Sequence, residues 1–161
     1  AGKPSYVKWK VNSLLDEELI SELYEAAKAG VKIDIVVRGI CAMRMSKVEN
    51  YGNVRIRSIL GRFLEHSRVF HFVNGGNDEI WIGSADIMHR NLDRRVETLV
   101  RIEQSDHKRL LIRALDTYVS DSTPCWEMDV DGKWNRINQN LNGVRQVEFH
   151  EQVINWYRAR V

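Results

Sequence analysis

The sequence predicts an α/β fold in which a mixed β-sheet is flanked by helices, and three observations predict it. The chain opens as strand, helix, strand, a crossover unit that pairs its strands in parallel. Two later apolar runs are joined by Asn74-Gly75-Gly76-Asn77, a turn signal between antiparallel strands. A second amphipathic helix is legible at residues 106–119, so strands and helices alternate along the chain.

Taken in order, Tyr6 to Val11 alternates, with Val7, Trp9 and Val11 on one face and Lys8 and Lys10 on the other. That pattern predicts a half-buried strand. Asp16 has the chemistry of a helix N-cap, and Glu17 and Glu18 put negative charge where the helix dipole favours it. Leu19, Ile20, Leu23, Tyr24 and Ala27 form one apolar helical face, and Gly30 stands where a C-terminal cap belongs. Val31 to Val37 predicts a largely buried strand. It delivers Arg38-Gly39 to the C-terminal sheet edge, where open α/β sheets bind ligands.

Residues 41–53 predict an irregular loop and Val54 to Leu60 another strand. Arg68 to Val73 and Ile80 to Gly83 predict the antiparallel pair. Their glycine turn is no phosphate loop, because no helix and no Gly-Lys-Ser/Thr follows it. Arg95 to Ile102 alternates and predicts a strand. The helix over Asp106 to Val119 presents Leu110, Leu111, Ala114, Leu115 and Tyr118. Trp126 to Ile137 around Asp131-Gly132 predicts a hairpin, and Gln146 to Arg160 a terminal helix carrying Val147, Val153, Ile154 and Trp156. With no repeat, low-complexity tract or linker, residues 1–161 are expected to form a single domain. Its core spans residues 6–120 and a C-terminal hairpin and helix appendage spans 121–161.

A chain of 161 residues can bury a core without disulfide or metal staples. Its 43% hydrophobic and 29% charged content is ordinary for a soluble globular protein. No apolar run approaches the roughly 20 residues of a membrane span, and no signal peptide is visible. The opening AGKPSY lacks an initiator Met, as expected of a processed product or of a piece of a longer chain. Cys41 and Cys125 lie far apart without CxxC spacing and are expected to be reduced thiols of a cytosolic protein.

The net charge of +2 names no partner, but its distribution is informative. Between Arg38 and Arg101, arginine recurs at Arg44, Arg55, Arg57, Arg62, Arg68, Arg90, Arg94 and Arg95, while Lys47 is the sole lysine. A planar guanidinium fork grips phosphate oxygens two at a time, where lysine offers a point charge. Charge alone favours a solvated surface that pairs these arginines with Glu65, Asp93 and Glu97.

Two patches carry chemistry. The first is Arg62-Phe-Leu-Glu-His66-Ser-Arg68-Val-Phe-His71-Phe. The second is Gly83-Ser84-Ala85-Asp86, continuing through His89-Arg90-Asn91 to Asp93-Arg94-Arg95. A His-x-basic unit entering one strand, followed by Gly-Ser after the next, resembles the phospholipase D superfamily signature. This resemblance implies a phospholipase D-like mixed β-sheet flanked by helices. The residue types suit phosphoryl transfer. A neutral imidazole attacks phosphorus to form a phosphohistidine, a second imidazole protonates the leaving oxygen, and cationic forks stabilise the equatorial oxygens. The sequence departs from that signature at Arg68, where lysine is usual, at Val73, where an acid is expected, and at Asp86, which replaces asparagine.

Those departures coincide with polyphosphate kinase, which the chain resembles closely over residues 8–120. The resemblance is carried by Lys10-Val-Asn12-Ser-Leu, Leu23-Tyr-Glu-Ala-Ala, Ile35-Val-Val-Arg38-Gly-Ile-Cys, Arg55-Ile-Arg57-Ser-Ile and Gly61-Arg62-Phe-Leu-Glu-His66-Ser-Arg68. It continues in Asn74-Gly-Gly, Ile82-Gly-Ser-Ala-Asp86 and Arg90-Asn91-Leu-Asp93-Arg94-Arg95-Val-Glu97. The family moves the terminal phosphate of ATP reversibly onto polyphosphate, and its last two domains are phospholipase D-like. The resemblance places this chain as the second of those two, with the autophosphorylated histidine on the missing first one.

His66 then matches the family's second histidine, which contacts the nucleotide phosphates and donates a proton to the departing ADP. Arg38 matches the arginine that binds ATP. Arg68, Ser84 and Asp86 match ATP- or phosphate-site positions by motif. The family's magnesium-linked residues fall outside the chain, so Mg2+ is an expected cofactor with no ligand here and no metal site is expected. The implied partners are ATP or ADP, polyphosphate, the missing N-terminal and first phospholipase D-like domains, and copies of the full-length chain. No nucleic acid partner is expected. The implied location is the bacterial cytoplasm, with or without peripheral membrane association, and the isolated domain is expected to be inactive.

The other histidines have plainer expectations. His71 is a partly buried strand residue between Phe70 and Phe72, His89 a residue of the loop before Asn91, and His107 and His150 surface residues. Asp93 and Glu97 are expected to pair with neighbouring arginines. Two other functions stay open on the residues alone. One is a phospholipase D-like nuclease or phosphodiesterase that completes its site by homodimerising. The other is a non-catalytic module that holds polyphosphate or nucleic acid by charge, steeply salt-dependent.

Overall fold

In the computed structural model, which describes residues 2–139 and 142–159, eight strands form one mixed sheet. Strand β1 (Ser5–Val11) lies beside β2 (Lys32–Val37), and β2 beside β3 (Val54–Ser58), all parallel. On the other side of β1, β4 (Val69–Asn74), β5 (Asn77–Gly83) and β6 (Leu99–Arg101) follow as an antiparallel meander. The hairpin β7 (Cys125–Met128) and β8 (Trp134–Ile137) extends the sheet beyond β3. The order is β6-β5-β4-β1-β2-β3-β7-β8. The helices are α1 (Glu17–Lys28), the single turn α2 (His89–Leu92), α3 (Ser105–Val119) and α4 (Phe149–Arg158).

The local chemistry behaves as the sequence predicts. Asp16 caps α1 by accepting the Leu19 N–H at 3.0 Å, and Ile20, Leu23 and Ala27 are buried. Gly30 ends the helix at φ +93°, and Gly75 and Gly76 turn β4 into β5 at φ +62° and +94°. In the 41–53 loop, two short 3₁₀ turns, Met45–Lys47 and Tyr51–Asn53, lead into β3. The terminal helix begins at Phe149 rather than Gln146, so Val147 precedes it, and Arg160 lies outside the described residues.

One expectation for β1 fails. Lys8 and Lys10 do not face water; they are 5% and 0% exposed. The alternation is real, but β1 is central in the sheet and covered on both faces. On one face Trp9 and Val11 join Ile33, Ile35, Val37, Ile20 and Leu23 under α1. On the other, Val36, Val69 and Ile80 pack with Leu115, Tyr118, Val119 and Phe149 from α3 and α4. Lys8 survives there by pairing with Asp116 of α3.

The strand expected over Arg95–Ile102 also shrinks, to Leu99–Arg101. The preceding residues fold over the end of β5 instead: the Thr98 N–H donates to Ser84 Oγ at 3.1 Å, and the Ser84 N–H to Thr98 O at 3.1 Å.

Candidate active site

Strand direction decides what meets at one edge. The parallel strands β1 and β2 end at Val11 and Val37, so Asn12 and Arg38 emerge together. Antiparallel β4 starts at that same edge, with Lys10 opposite Val69, so Arg68 stands one residue outside the sheet. β5 ends there too, and the Gly83 N–H donates to Arg68 O at 3.2 Å. Loops then knit the edge shut. The Gly39 N–H donates to Asn12 O at 2.8 Å, the Ile87 N–H to Ser13 O at 3.1 Å, and the Leu14 N–H to Ile40 O at 2.9 Å.

His66 is exposed on this edge. Arg68 lies against it: Nη1 is 3.1 Å from His66 Nδ1 and Nη2 is 3.3 Å from Nε2. A neutral imidazole has one acceptor nitrogen, so the guanidinium covers the ring and satisfies at most one of those contacts as a donor. Arg68 Nη1 also donates to His66 O at 2.8 Å, and Nη2 donates to Asp86 Oδ2 at 2.7 Å. Asp86 Oδ1 accepts the N–H groups of Asn12 and Ser13 at 2.7 and 3.1 Å. Burial pushes the Asp86 carboxyl up, but the Arg68 guanidinium and these backbone donors outweigh it and hold it below the usual aspartate range. Arg38 joins through Asn12, its Nε donating to Asn12 Oδ1 at 2.9 Å. An unbroken polar chain therefore runs Arg38, Asn12, Asp86, Arg68, His66.

Ser84 sits at the same edge but is engaged elsewhere. Its hydroxyl donates to Glu97 and accepts from Thr98. Glycine is required just before it: a Cβ on Gly83 would lie 2.6 Å from Thr98 O and 2.8 Å from Leu99 Cδ2. Glu97 does not pair with an arginine as expected; it accepts from Ser84 and from Asn91 Nδ2, the latter at 2.7 Å. Asp93 likewise meets His89, Nδ1 to Oδ2 at 3.3 Å, because one helical turn puts the two side by side. His89 also reaches Asp16 at 3.1 Å, which ties the single-turn helix α2 to the α1 cap.

Three site-supporting residues escape sequence reasoning. Lys10 lies under the edge with Nζ 3.3 Å from the carbonyls of both Glu65 and Ser67, the neighbours of His66. Burial, helped by the Arg38 and Arg68 charges and opposed by Glu65 and Asp86, pulls its ammonium down to about 8. Glu65 accepts from Tyr118 and from Ser67, and its Oε1 lies 2.9 Å from His150 Nε2. His150 corrects its surface assignment, being 6% exposed under the 61–66 loop. The alternation that exposes Lys10 on paper is blind to a covered second face. His150 sits 84 residues from His66, so no spacing signal links them. His71, expected to be partly buried, is 4% exposed and meets Asp78 at 2.7 Å.

A family model described as polyphosphate kinase C-terminal domain 2 matches residues 1–148. The chain belongs to that family. It is 48% identical over 160 residues, 99% of its length, to a polyphosphate kinase of Streptomyces coelicolor. It is 44% identical over 141 residues, 88% of its length, to one of Pseudomonas aeruginosa. These stretches are 21% and 20% of the two relatives, so the chain spans about a fifth of their length. The crystal structure of the Porphyromonas gingivalis polyphosphate kinase superimposes with a TM-score of 0.88 at 33% identity, covering 99% of this chain and 24% of that one. Nuc from Salmonella typhimurium, a phospholipase D family member, superimposes with a TM-score of 0.57 at 14% identity over 84% of each chain. This last likeness speaks for the fold: a phospholipase D-like mixed sheet flanked by helices.

The polyphosphate kinase family implies Mg2+, and the donor set here does not fit a resident ion. Among the described residues no group of three or more His, Cys, Asp or Glu is placed to hold a metal. The carboxylates at the edge are committed, Asp86 to Arg68 and two N–H groups, Glu97 to Ser84 and Asn91. What this edge of the polyphosphate kinase domain presents is an exposed imidazole beside the Arg68 guanidinium, with Arg38 joined to it through Asn12 and Asp86.

Proposed function

We propose that this chain is one phospholipase D-like domain, residues 1–161, of an ATP:polyphosphate phosphotransferase. It supplies the nucleotide-facing half of the active site. The observation that carries the reading is the exposed His66 ring against Arg68, itself fixed by the buried Asp86.

In the proposed reaction a histidine on a companion domain attacks the γ-phosphorus of ATP. An N–P bond forms, the bond to the β–γ bridging oxygen breaks, and ADP leaves. The phosphoryl group then passes from nitrogen to the terminal oxygen of polyphosphate, and each step is reversible. His66 contacts the nucleotide phosphates and gives its proton to the departing ADP oxygen. Arg68 and Arg38 stabilise the charge that spreads over the phosphate oxygens. Asp86 acts on phosphate through Arg68, which it aims. Ser84 offers its hydroxyl to a phosphate oxygen after release from Glu97. Mg2+ would be held by residues of the companion domains, where it would supply positive charge to the nucleotide phosphates. The working enzyme includes the companion domains, assembles as a homo-oligomer and acts in the bacterial cytoplasm; no helix among the described residues is long and apolar enough to cross a membrane.

The test is reconstitution. Polyphosphate synthesis from ATP is measured for this chain alone and for the same chain joined to the companion domains. Synthesis is expected only in the joined enzyme, and His66→Ala there is expected to remove most turnover. Robust synthesis by the chain alone would misplace the nucleophile. Metal-independent cleavage of bis-nitrophenyl phosphate by the chain, lost on His66→Ala, would instead establish a homodimeric phosphodiesterase.

A further inference from the structure

The loop that presents His66 is anchored by a partly buried polar cluster with no part in the chemistry above. Glu65, the residue before His66, is gripped by Tyr118 of α3, by Ser67 Oγ at 3.2 Å and by His150 of α4 at 2.9 Å. Burial alone would raise the Glu65 carboxyl; these donors hold it below the usual glutamate range. His150 touches the loop at two further points. Its Nδ1 accepts the Phe63 N–H at 3.4 Å, and its ring meets Phe63 edge-on at 5.1 Å. Gly61 fits directly against it, since a Cβ there would lie 2.6 Å from Nδ1. The two ring nitrogens therefore have distinct jobs: Nε2–H donates to Glu65 and Nδ1 accepts from Phe63, the assignment of a neutral ring with its proton on Nε2. Phe149 stacks on Tyr118 at 3.7 Å and locks α4 to α3 beside the cluster.

We infer that His150 is a positioning residue for His66: through Glu65 and Phe63 it sets where the loop holds the His66 imidazole. The inference rests on the proposed role of His66. It gives α4, which begins at Phe149 just past the residues 1–148 matched by the family model, a task in the reaction. Supporting partners that orient a reacting group change turnover by tenfold to a hundredfold when removed, and an ångström of misplacement is enough to do it.

The experiment uses the full-length enzyme containing this domain and compares His150→Phe, His150→Gln and Tyr118→Phe with wild type and with His66→Ala. Phenylalanine fills the space without donating or accepting. Glutamine offers an amide N–H to Glu65 and a carbonyl to Phe63. His150→Phe is expected to lower kcat for ATP about tenfold or more while KM for ATP changes less than threefold. His150→Gln is expected to recover most of that loss. Tyr118→Phe, which removes one hydroxyl and opens no cavity, is expected to lower kcat several-fold with little change in melting temperature. Equal kcat losses in the Phe and Gln variants of His150, or wild-type kcat in Tyr118→Phe, overturn the positioning role. If His66→Ala itself keeps wild-type turnover, the function proposed for His66 falls instead. If His66→Ala is inactive and His150→Phe matches wild type, the inference alone fails.

Discussion

Asp86 holds Arg68 with an Nη2 to Oδ2 bond of 2.7 Å, between side chains 9% and 12% exposed. The pair explains why an acid replaces the asparagine of the Gly-Ser turn. An asparagine accepts the Asn12 and Ser13 N–H groups equally well, but only a carboxylate neutralises a guanidinium in so dry a place. Arginine at 68 and aspartate at 86 are one joint departure from the phospholipase D pattern.

Asp86→Asn should therefore strand a buried guanidinium. Removing one member of a buried pair costs about 3 kcal/mol, and urea unfolding should show a loss of that order near pH 7. The sign with pH follows from the depressed carboxyl. Wild type holds the full contribution above the ordinary aspartate pKa and loses it as pH falls through the lower folded value. The gap between wild type and Asp86→Asn should accordingly narrow in acid; a gap that stays constant down to about pH 3 would contradict the linkage.

Arg68→Lys separates charge from geometry. Lysine keeps a positive charge for Asp86, yet cannot also span His66 O and the imidazole ring as the planar fork does. Turnover of the full-length enzyme should fall about tenfold to a hundredfold, with a stability loss smaller than that of Asp86→Asn because the charge facing Asp86 is kept. Equal rates for the arginine and lysine forms would remove the fork from the reading.

Gly83→Ala probes the turn that carries Ser84. The added Cβ meets a backbone oxygen, Thr98 O at 2.6 Å, and cannot be accommodated by turning a side chain. Strand β6 must move away from β5, at a cost of about 1–3 kcal/mol. Thermal unfolding of the isolated chain should show it, and an unchanged midpoint would mean that the 96–98 segment is free to lift.

These residues also mark where the sequence is legible. Asp16, Gly30 and the Gly75-Gly76 turn act through their nearest neighbours, so the helix cap and the hairpin can be read from a few positions. That His66, Arg68, Ser84 and Asp86 meet at one sheet edge is legible from two short patches, His66-Ser-Arg68 and Gly83-Ser84-Ala85-Asp86, and that Arg38 joins them is legible from the parallel strand ending at Val37. Lys10 and His150 are not, for a different reason. Each is defined by elements far away in the chain: Lys10 by helices covering the second face of β1, His150 by α4 folding beneath residues 61–66. Glu97 is misread because charge composition suggests an arginine partner, whereas the chain doubles back so that Ser84 and Asn91 reach it first.

Lys10 gives the clearest pH signature. Its ammonium titrates at about 8 in the fold and at 10.5 as the reference value, so between those values the unfolded chain binds more protons. Stability therefore rises with pH across that window as the buried charge is relieved. A shift of this size corresponds to roughly 3 kcal/mol in total. Lys10→Met removes the titration and leaves the carbonyls of Glu65 and Ser67 without their shared donor. Unfolding free energies of wild type and Lys10→Met, measured between pH 7.5 and 10.5, should diverge in favour of wild type as pH rises. Every other alkaline group is common to both proteins and cancels in the difference. Parallel curves would show that the Lys10 ammonium is solvated, and that the grip on both neighbours of His66 is weaker than the geometry implies.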